Sequence, residues 1–228
     1  MIQSLKNSSI LYTKKFEGVI LLSLTILLPL LVVNWFLLNI IYSFVFNDFT
    51  SALADFYYIF LTFIFMVIAQ IPFIQLVDQF EKKSEIKYKK IFFIFITNAF
   101  SLFLYGICLS ILTSIGTMLF ILPGLIVLVF LFGAPYEAVL EKKSVWKSIK
   151  PSTKFAKKKF FPLLLIIITV SLTELIIGWI SMYLIYSITT SLLAQVMVQM
   201  LLNLLIFPFL VIWITYFFKG WKEKYQLV

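Results

Sequence analysis

Six stretches of this chain are long and apolar enough to cross a lipid bilayer, and every lysine falls before the first, between the second and third, between the fourth and fifth, or after the sixth. The stretches run over residues 19–46, 56–77, 91–113, 118–136, 161–186 and 192–218. A helix needs about 20 predominantly apolar residues to span the hydrocarbon core. Unpaired backbone amides are so costly in lipid that only helices and closed barrels can cross it. The pattern therefore predicts an all-α polytopic membrane protein, with six transmembrane helices in three antiparallel hairpins and basic amphipathic segments on the cytoplasmic side. Of the 228 residues 62% are hydrophobic and 13% charged, against about a quarter charged in soluble domains. That leaves nothing for an extramembrane domain, so residues 1–228 read as a single integral membrane domain. Lys14 and Lys15 before the first run resemble the start of a signal peptide. The run is far longer than a signal-peptide core and has no small-residue cleavage site, so it reads as a retained span.

The lysines fix an orientation. Lys6, Lys14 and Lys15 precede the first span, and Lys82, Lys83, Lys87, Lys89 and Lys90 separate the second from the third. Eight more, from Lys142 to Lys159, separate the fourth from the fifth, and Lys219, Lys222 and Lys224 follow the sixth. With six spans, all four groups emerge on one face, which the positive-inside rule makes cytoplasmic. The expected location is the bacterial plasma (inner) membrane, with both termini inside. The remaining connections, 47–51, 114–117 and 187–191, are short and polar, leaving no external binding domain. Tyr57, Tyr58, Trp179, Tyr183 and Tyr186 toward the outer face, and Tyr216, Trp221 and Tyr225 toward the inner, have the placement of interfacial anchors.

The basic segments carry a weak internal repeat. Lys6, Ser8, Lys14, Lys15 and Phe16 recur 144 positions later as Lys150, Ser152, Lys158, Lys159 and Phe160, with a fainter middle copy at Lys89, Lys90 and Ile91. If genuine, the repeat implies three hairpins built alike. These segments either do no more than set topology or form a collar that lies in the interface and grips anionic lipid headgroups. The candidate contacts are Lys147, Lys150, Lys154, Lys157, Lys158 and Lys159, interleaved with Val145, Trp146, Ile149 and Phe155. Membrane lipids are thus the expected partners. Nucleic acid is not, since the chain has no arginine and no recognisable nucleic-acid-binding module.

Polar groups inside the spans are the remaining candidates for function, because each is costly there and must face protein or water. Glu174 is the one carboxylate placed so deeply, on a helical face with Ser171, Gly178 and Ser181. Ser191, Gln195, Gln199 and Asn203 recur every four residues along the sixth span. Asn98, Ser101, Tyr105 and Cys108 mark the third, and Asn34 lies in the first. The plainer reading is hydrogen bonding between helices. The sharper one is a polar cavity near Glu174 lined by Ser171, Gln195, Gln199, Asn203 and Asn98, as in a small transporter or exporter. Pro29, Pro72, Pro123 and Pro208 should each remove a helix hydrogen bond and kink a span, most sharply at Pro123-Gly124.

Enzymatic constellations are missing. There is no histidine, no carboxylate pair within a span, no glycine-rich phosphate loop and no cysteine pair, and Cys108 reads as an inert core thiol. No catalytic residue, metal site or cofactor is expected.

The stretch Ile115-Gly116, Met118-Leu119, Pro123-Gly124-Leu125-Ile126, Ala134-Pro135 and Ser148, running into the basic segment, resembles the YciC-type family of bacterial inner-membrane proteins. Gln3-Ser4 and the six-span layout extend the likeness, by pattern more than by identity, along the whole chain. Lys147 stands where the family pattern often has arginine, and Glu174 lies outside the shared motif. That family is similar in turn to the membrane domain attached to some glycerophosphodiester phosphodiesterases. With no catalytic domain in this chain, the resemblance does not imply phosphodiesterase activity. It implies a multi-pass plasma-membrane protein. With no enzymatic constellation in the sequence, the expected role is a non-enzymatic one, membrane-organising, lipid-interacting or accessory, with a small transporter or exporter as the alternative.

Overall fold

The computed structural model describes residues 1–82 and 85–226; Lys83, Ser84, Leu227 and Val228 lie outside it, as do the side chains of Ile121, Lys224, Tyr225 and Gln226. Among the described residues there is no strand, and six helices are long and apolar enough to cross a membrane. The chain divides into two compact units. Residues 1–28 with 161–228 form unit 1, and residues 29–160 form unit 2.

Unit 1 is built by packing α1 (Ile2–Lys14) on α10 (Leu192–Gln226). The packed face of α1 is Ser4, Ser8 and Leu11, all buried. The two hydroxyls donate to carbonyls of α1 itself, Ser4 Oγ to Met1 O at 2.6 Å and Ser8 Oγ to Ser4 O at 2.7 Å. Small, self-satisfied side chains let the helices approach closely without a polar penalty. Tyr12 adds a tie by donating its hydroxyl to the Leu205 carbonyl at 2.8 Å, with its ring edge-on to Phe209. Burial pushes the Tyr12 pKa up to about 12, so this donor stays protonated at physiological pH. At Lys15 the backbone leaves helical geometry (φ −124°, ψ 29°) before α2 (Phe16–Leu22).

A short π-helical turn, Ser23–Leu27, follows α2. It places Ser23, fully buried, so that its hydroxyl donates to the Leu204 carbonyl at 3.0 Å. Leu204 is four residues before Pro208, the position whose carbonyl a proline cannot serve. The helical assignment of α10 continues through Pro208, and Ser23 replaces the lost bond. An unsatisfied carbonyl in lipid has no water to turn to, so Ser23→Ala should cost about 1–3 kcal/mol. The same substitution in a Pro208→Ala background should be nearly neutral, because the new N–H serves Leu204 directly. A double-mutant cycle by thermal melting measures the difference, and additive losses would contradict this account.

Unit 2 opens with α3 (Leu28–Tyr42), whose Tyr42 hydroxyl donates to Asp55 in α4 (Asp48–Ala69) at 2.7 Å. Asn47 and Thr50 form a reciprocal capping box at the start of α4. After a break at Gln70, Pro72 falls in the first turn of α5 (Ile71–Glu81), where no N–H is needed. Residues 85–87 lie outside any helix, so among the described residues no amphipathic helix runs into Lys89 and Lys90 as a threefold repeat would require. Next, α6 (Tyr88–Leu119) packs along α4, with Gly106 against the Ile64 backbone.

The α6–α7 turn differs from the sequence expectation. Residues 114–117 are helical, and the chain reverses at the extended residue Phe120 (φ −161°, ψ 149°). Pro123 therefore sits in the first turn of α7 (Ile121–Leu131), where it starts a span instead of interrupting one. Gly116 and Gly124 bring the two backbones together, since a Cβ at Gly116 would lie 2.9 Å from Gly124 Cα. Cys108 is exposed on the surface of α6, not in the core, and Tyr216 is buried.

Pro135 repeats the logic of Pro208. It opens α8 (Ala134–Glu141), and the carbonyl it cannot serve, that of Leu131, accepts from the buried Tyr105 hydroxyl at 2.5 Å. The last helix to start in this unit is α9 (Val145–Tyr186), which leaves helical geometry at Lys159 (φ −126°, ψ 26°).

The 144-residue offset reappears here as geometry. Ser4, Ser8 and Leu11 correspond to Ser148, Ser152 and Phe155, and all six are buried. Lys15 and Lys159 hold nearly the same non-helical backbone angles. Beyond the bend, Val19 and Leu22 match Leu163 and Ile166, all fully buried. The two copies thus share one local design of packed basic helix, bend and span start.

Candidate functional site

The feature that the sequence picked out most clearly is residues 145–158 of α9. Val145, Ser148, Ser152, Phe155 and Ala156 are buried, with Ser152 fitted against Gly133, where a Cβ would lie 2.6 Å from its hydroxyl. At 3.6 residues per turn, Lys147, Lys150, Lys154, Lys157 and Lys158 all fall within one arc of about 100° opposite that packed face. All five are exposed, while Lys159 is half-buried at the bend. No acidic residue interrupts the segment. Among the described residues Lys147, Lys150, Lys154 and Lys157 make no ion pair. Trp146, 47% exposed, stands at the margin of the arc. The result is a helix with one protein-facing side, one cationic side and an aromatic edge.

The intramembrane stripe is only partly assembled. Glu174, half-buried, and Gly178, buried, lie on α9, and Gly178 approaches Gln199, whose Oε1 would be 3.5 Å from an added Cβ. Gln195, Gln199 and Asn203 are half-buried on α10, with Asn203 donating to the Gln199 carbonyl of its own helix at 3.0 Å. Ser171 is exposed. The Glu174 carboxylate makes no hydrogen bond or ion pair among the described residues. A groove of about 380 Å³ in unit 1, with Tyr12, Thr169, Thr173, Phe209 and Trp213 in its walls, is largely apolar and does not include Glu174. Asn98 belongs to unit 2, where it bonds the Ile94 carbonyl at 2.9 Å. Of the third-span candidates, Tyr105 serves the Leu131 carbonyl and Cys108 points away from the core.

Sequence reasoning missed a polar cleft in unit 2, formed where the end of α5, the start of α6 and the end of α8 meet, with Gln75, Lys90 and Lys142 among its walls. Its residues come from positions 75–94 and 142, a separation that no periodicity reveals.

The six apolar helices define a multi-pass α-helical membrane protein. No family model, curated protein or solved structure matches the chain.

Proposed function

We propose that this is a non-enzymatic lipid-interacting protein of the bacterial plasma membrane, of the YciC type, with its termini and lysines on the cytoplasmic side. In this reading α1 and residues 145–158 lie in the interface and hold anionic headgroups close to the spans. The observation that carries it is the paired bend at Lys15 and Lys159, which in each case separates a lysine-bearing amphipathic helix from the span that follows. A helix that only set topology would need charge, but neither a bend nor a conserved-in-kind packed face of small residues at both copies. The unpaired ammonium groups of Lys147, Lys150, Lys154 and Lys157 fit headgroup phosphates, and Trp146 fits the headgroup level, where amphipathic rings settle.

The depth of the helix tests this reading. Single cysteines carrying nitroxide labels would replace Trp146 or Lys154 in a Cys108→Ala background, with the protein reconstituted in vesicles containing phosphatidylglycerol. The Trp146 label should be shallowly immersed and accessible to oxygen, and the Lys154 label accessible to a water-soluble relaxation agent. Equal accessibility to the water-soluble agent at both positions would place the helix in solvent and end the interfacial reading.

A further inference from the structure

The cleft in unit 2 is a second basic feature, distinct from the amphipathic helices. Its volume is about 180 Å³, below the roughly 300 Å³ at which sites for drug-sized ligands begin, so it suits one polar group and not a whole metabolite. Its walls are held in place by two glutamines that are 3% and 6% exposed. Gln75 Nε2 donates to the Val139 carbonyl at 3.1 Å, tying α5 to α8. Gln79 Oε1 accepts the Lys87 backbone N–H at 2.8 Å, fixing the entry to α6.

The charge lining this framework is unbalanced. Asp78 and Lys82 pair with each other at 2.5 Å. That leaves Lys87, Lys90 and Lys142 facing a single further carboxylate, Glu85, and none of these four makes an ion pair among the described residues. Two local placements work against the chain's own preference. Lys87 and Lys90 occupy the N-cap and the third position of α6, a helix start with no acidic residue in its first turn and no side-chain cap. Cations at the positive end of a helix dipole are unfavourable, and an anion is what that position favours. Lys142 ends α8 in the left-handed region (φ 53°, ψ 40°), the only non-glycine residue with positive φ among those described. Helix ends of this kind ordinarily take glycine or asparagine, and backbone strain kept at a residue whose side chain lines a cleft points to use of that side chain.

We propose that this cleft binds a phosphate group in its dianionic, monoester or inorganic form. The charge of two left over from three ammonium groups and one carboxylate matches it, and lysines recognise phosphate as point charges without the planar fork that arginine would bring. The site belongs to unit 2 alone and does not depend on the interfacial helices.

The experiment uses the full chain in phosphatidylcholine nanodiscs containing either phosphatidic acid or phosphatidylglycerol, with retained lipid counted by native mass spectrometry. A parallel melting series uses inorganic phosphate against chloride at equal ionic strength. Phosphatidic acid should be retained over phosphatidylglycerol on the order of tenfold, the effect of one further charge-assisted contact. Lys90→Gln and Lys142→Gly should each abolish the preference. Lys142→Gly relieves the left-handed strain, so it removes the ammonium without lowering the melting temperature. Replacing Lys157, Lys158 and Lys159 with Gln should leave the preference intact, which separates this site from the interfacial helices. Stabilisation by inorganic phosphate, lost in Lys90→Gln, without lipid selectivity would assign the site to a free anion. Selectivity without that stabilisation would assign it to a headgroup. Neither effect, or effects that survive both single substitutions, would overturn the proposal.

Discussion

Replacing Gly124 with alanine is expected to lower the melting temperature of the detergent-solubilised protein by on the order of 10 °C, the equivalent of about 3 kcal/mol. The cause is backbone contact. A Cβ at Gly124 would collide with the Thr117 methyl, and it would also lie 2.8 Å from Thr117 N and 3.0 Å from Thr117 Cα. A side chain can rotate away, but backbone in the middle of a helical hairpin cannot. Gly116 presses on the same point from the other strand of the turn, its added Cβ meeting Gly124 N at 2.9 Å. Thr117→Ser, which removes only the methyl, should therefore rescue Gly124→Ala only in part. Full rescue would show that the collision is confined to the methyl group. A melting temperature within a degree of wild type for Gly124→Ala would mean that α6 and α7 do not approach as closely as described.

Changing Lys157, Lys158 and Lys159 to Gln should reduce retention of phosphatidylglycerol on the order of a hundredfold at low salt. Each ammonium near an anionic surface contributes about 1 kcal/mol, and three such losses correspond to roughly two decades of affinity. The contrast should shrink as salt rises, since the Debye length falls from about 10 Å at 0.1 M to about 3 Å at 1 M. Lysine-to-arginine changes at the same positions should preserve retention, because the effect is one of charge. A loss that ignores salt would point to altered packing at the Lys159 bend instead of headgroup contact, and unchanged retention would remove the lipid-binding reading. Glu174→Gln should leave the salt profile as it was, since that carboxylate lies along the span, away from the basic arc.

Much of the candidate site was visible one residue at a time. Lysines spaced along 145–158 fall on one side of any helix they form, and the 144-residue echo in Lys, Ser and Phe marked the same segment in α1. The echo gains force in three dimensions, because Ser4, Ser8, Ser148 and Ser152 are all buried and the bends at Lys15 and Lys159 coincide. The prolines depend more on tertiary context: Ser23 and Tyr105, on other helices, supply the donors that Pro208 and Pro135 lack. Pro123 was expected to disturb a span, and it starts one because the chain turns at Phe120.

By itself the sequence determined the helical class, the six spans and the confinement of positive charge to the segments between alternate spans. Those properties follow from the cost of leaving amides and charges in hydrocarbon, which each segment meets alone. Only the tertiary structure decided which apolar face packs on protein, which carbonyl Ser23 or Tyr105 completes, and that Lys87, Lys90 and Lys142 meet in one cleft. Phe, Leu and Ile serve equally well against lipid and against protein, so hydropathy cannot distinguish the two, and a site drawn from α5, α6 and α8 exists only once those helices have packed.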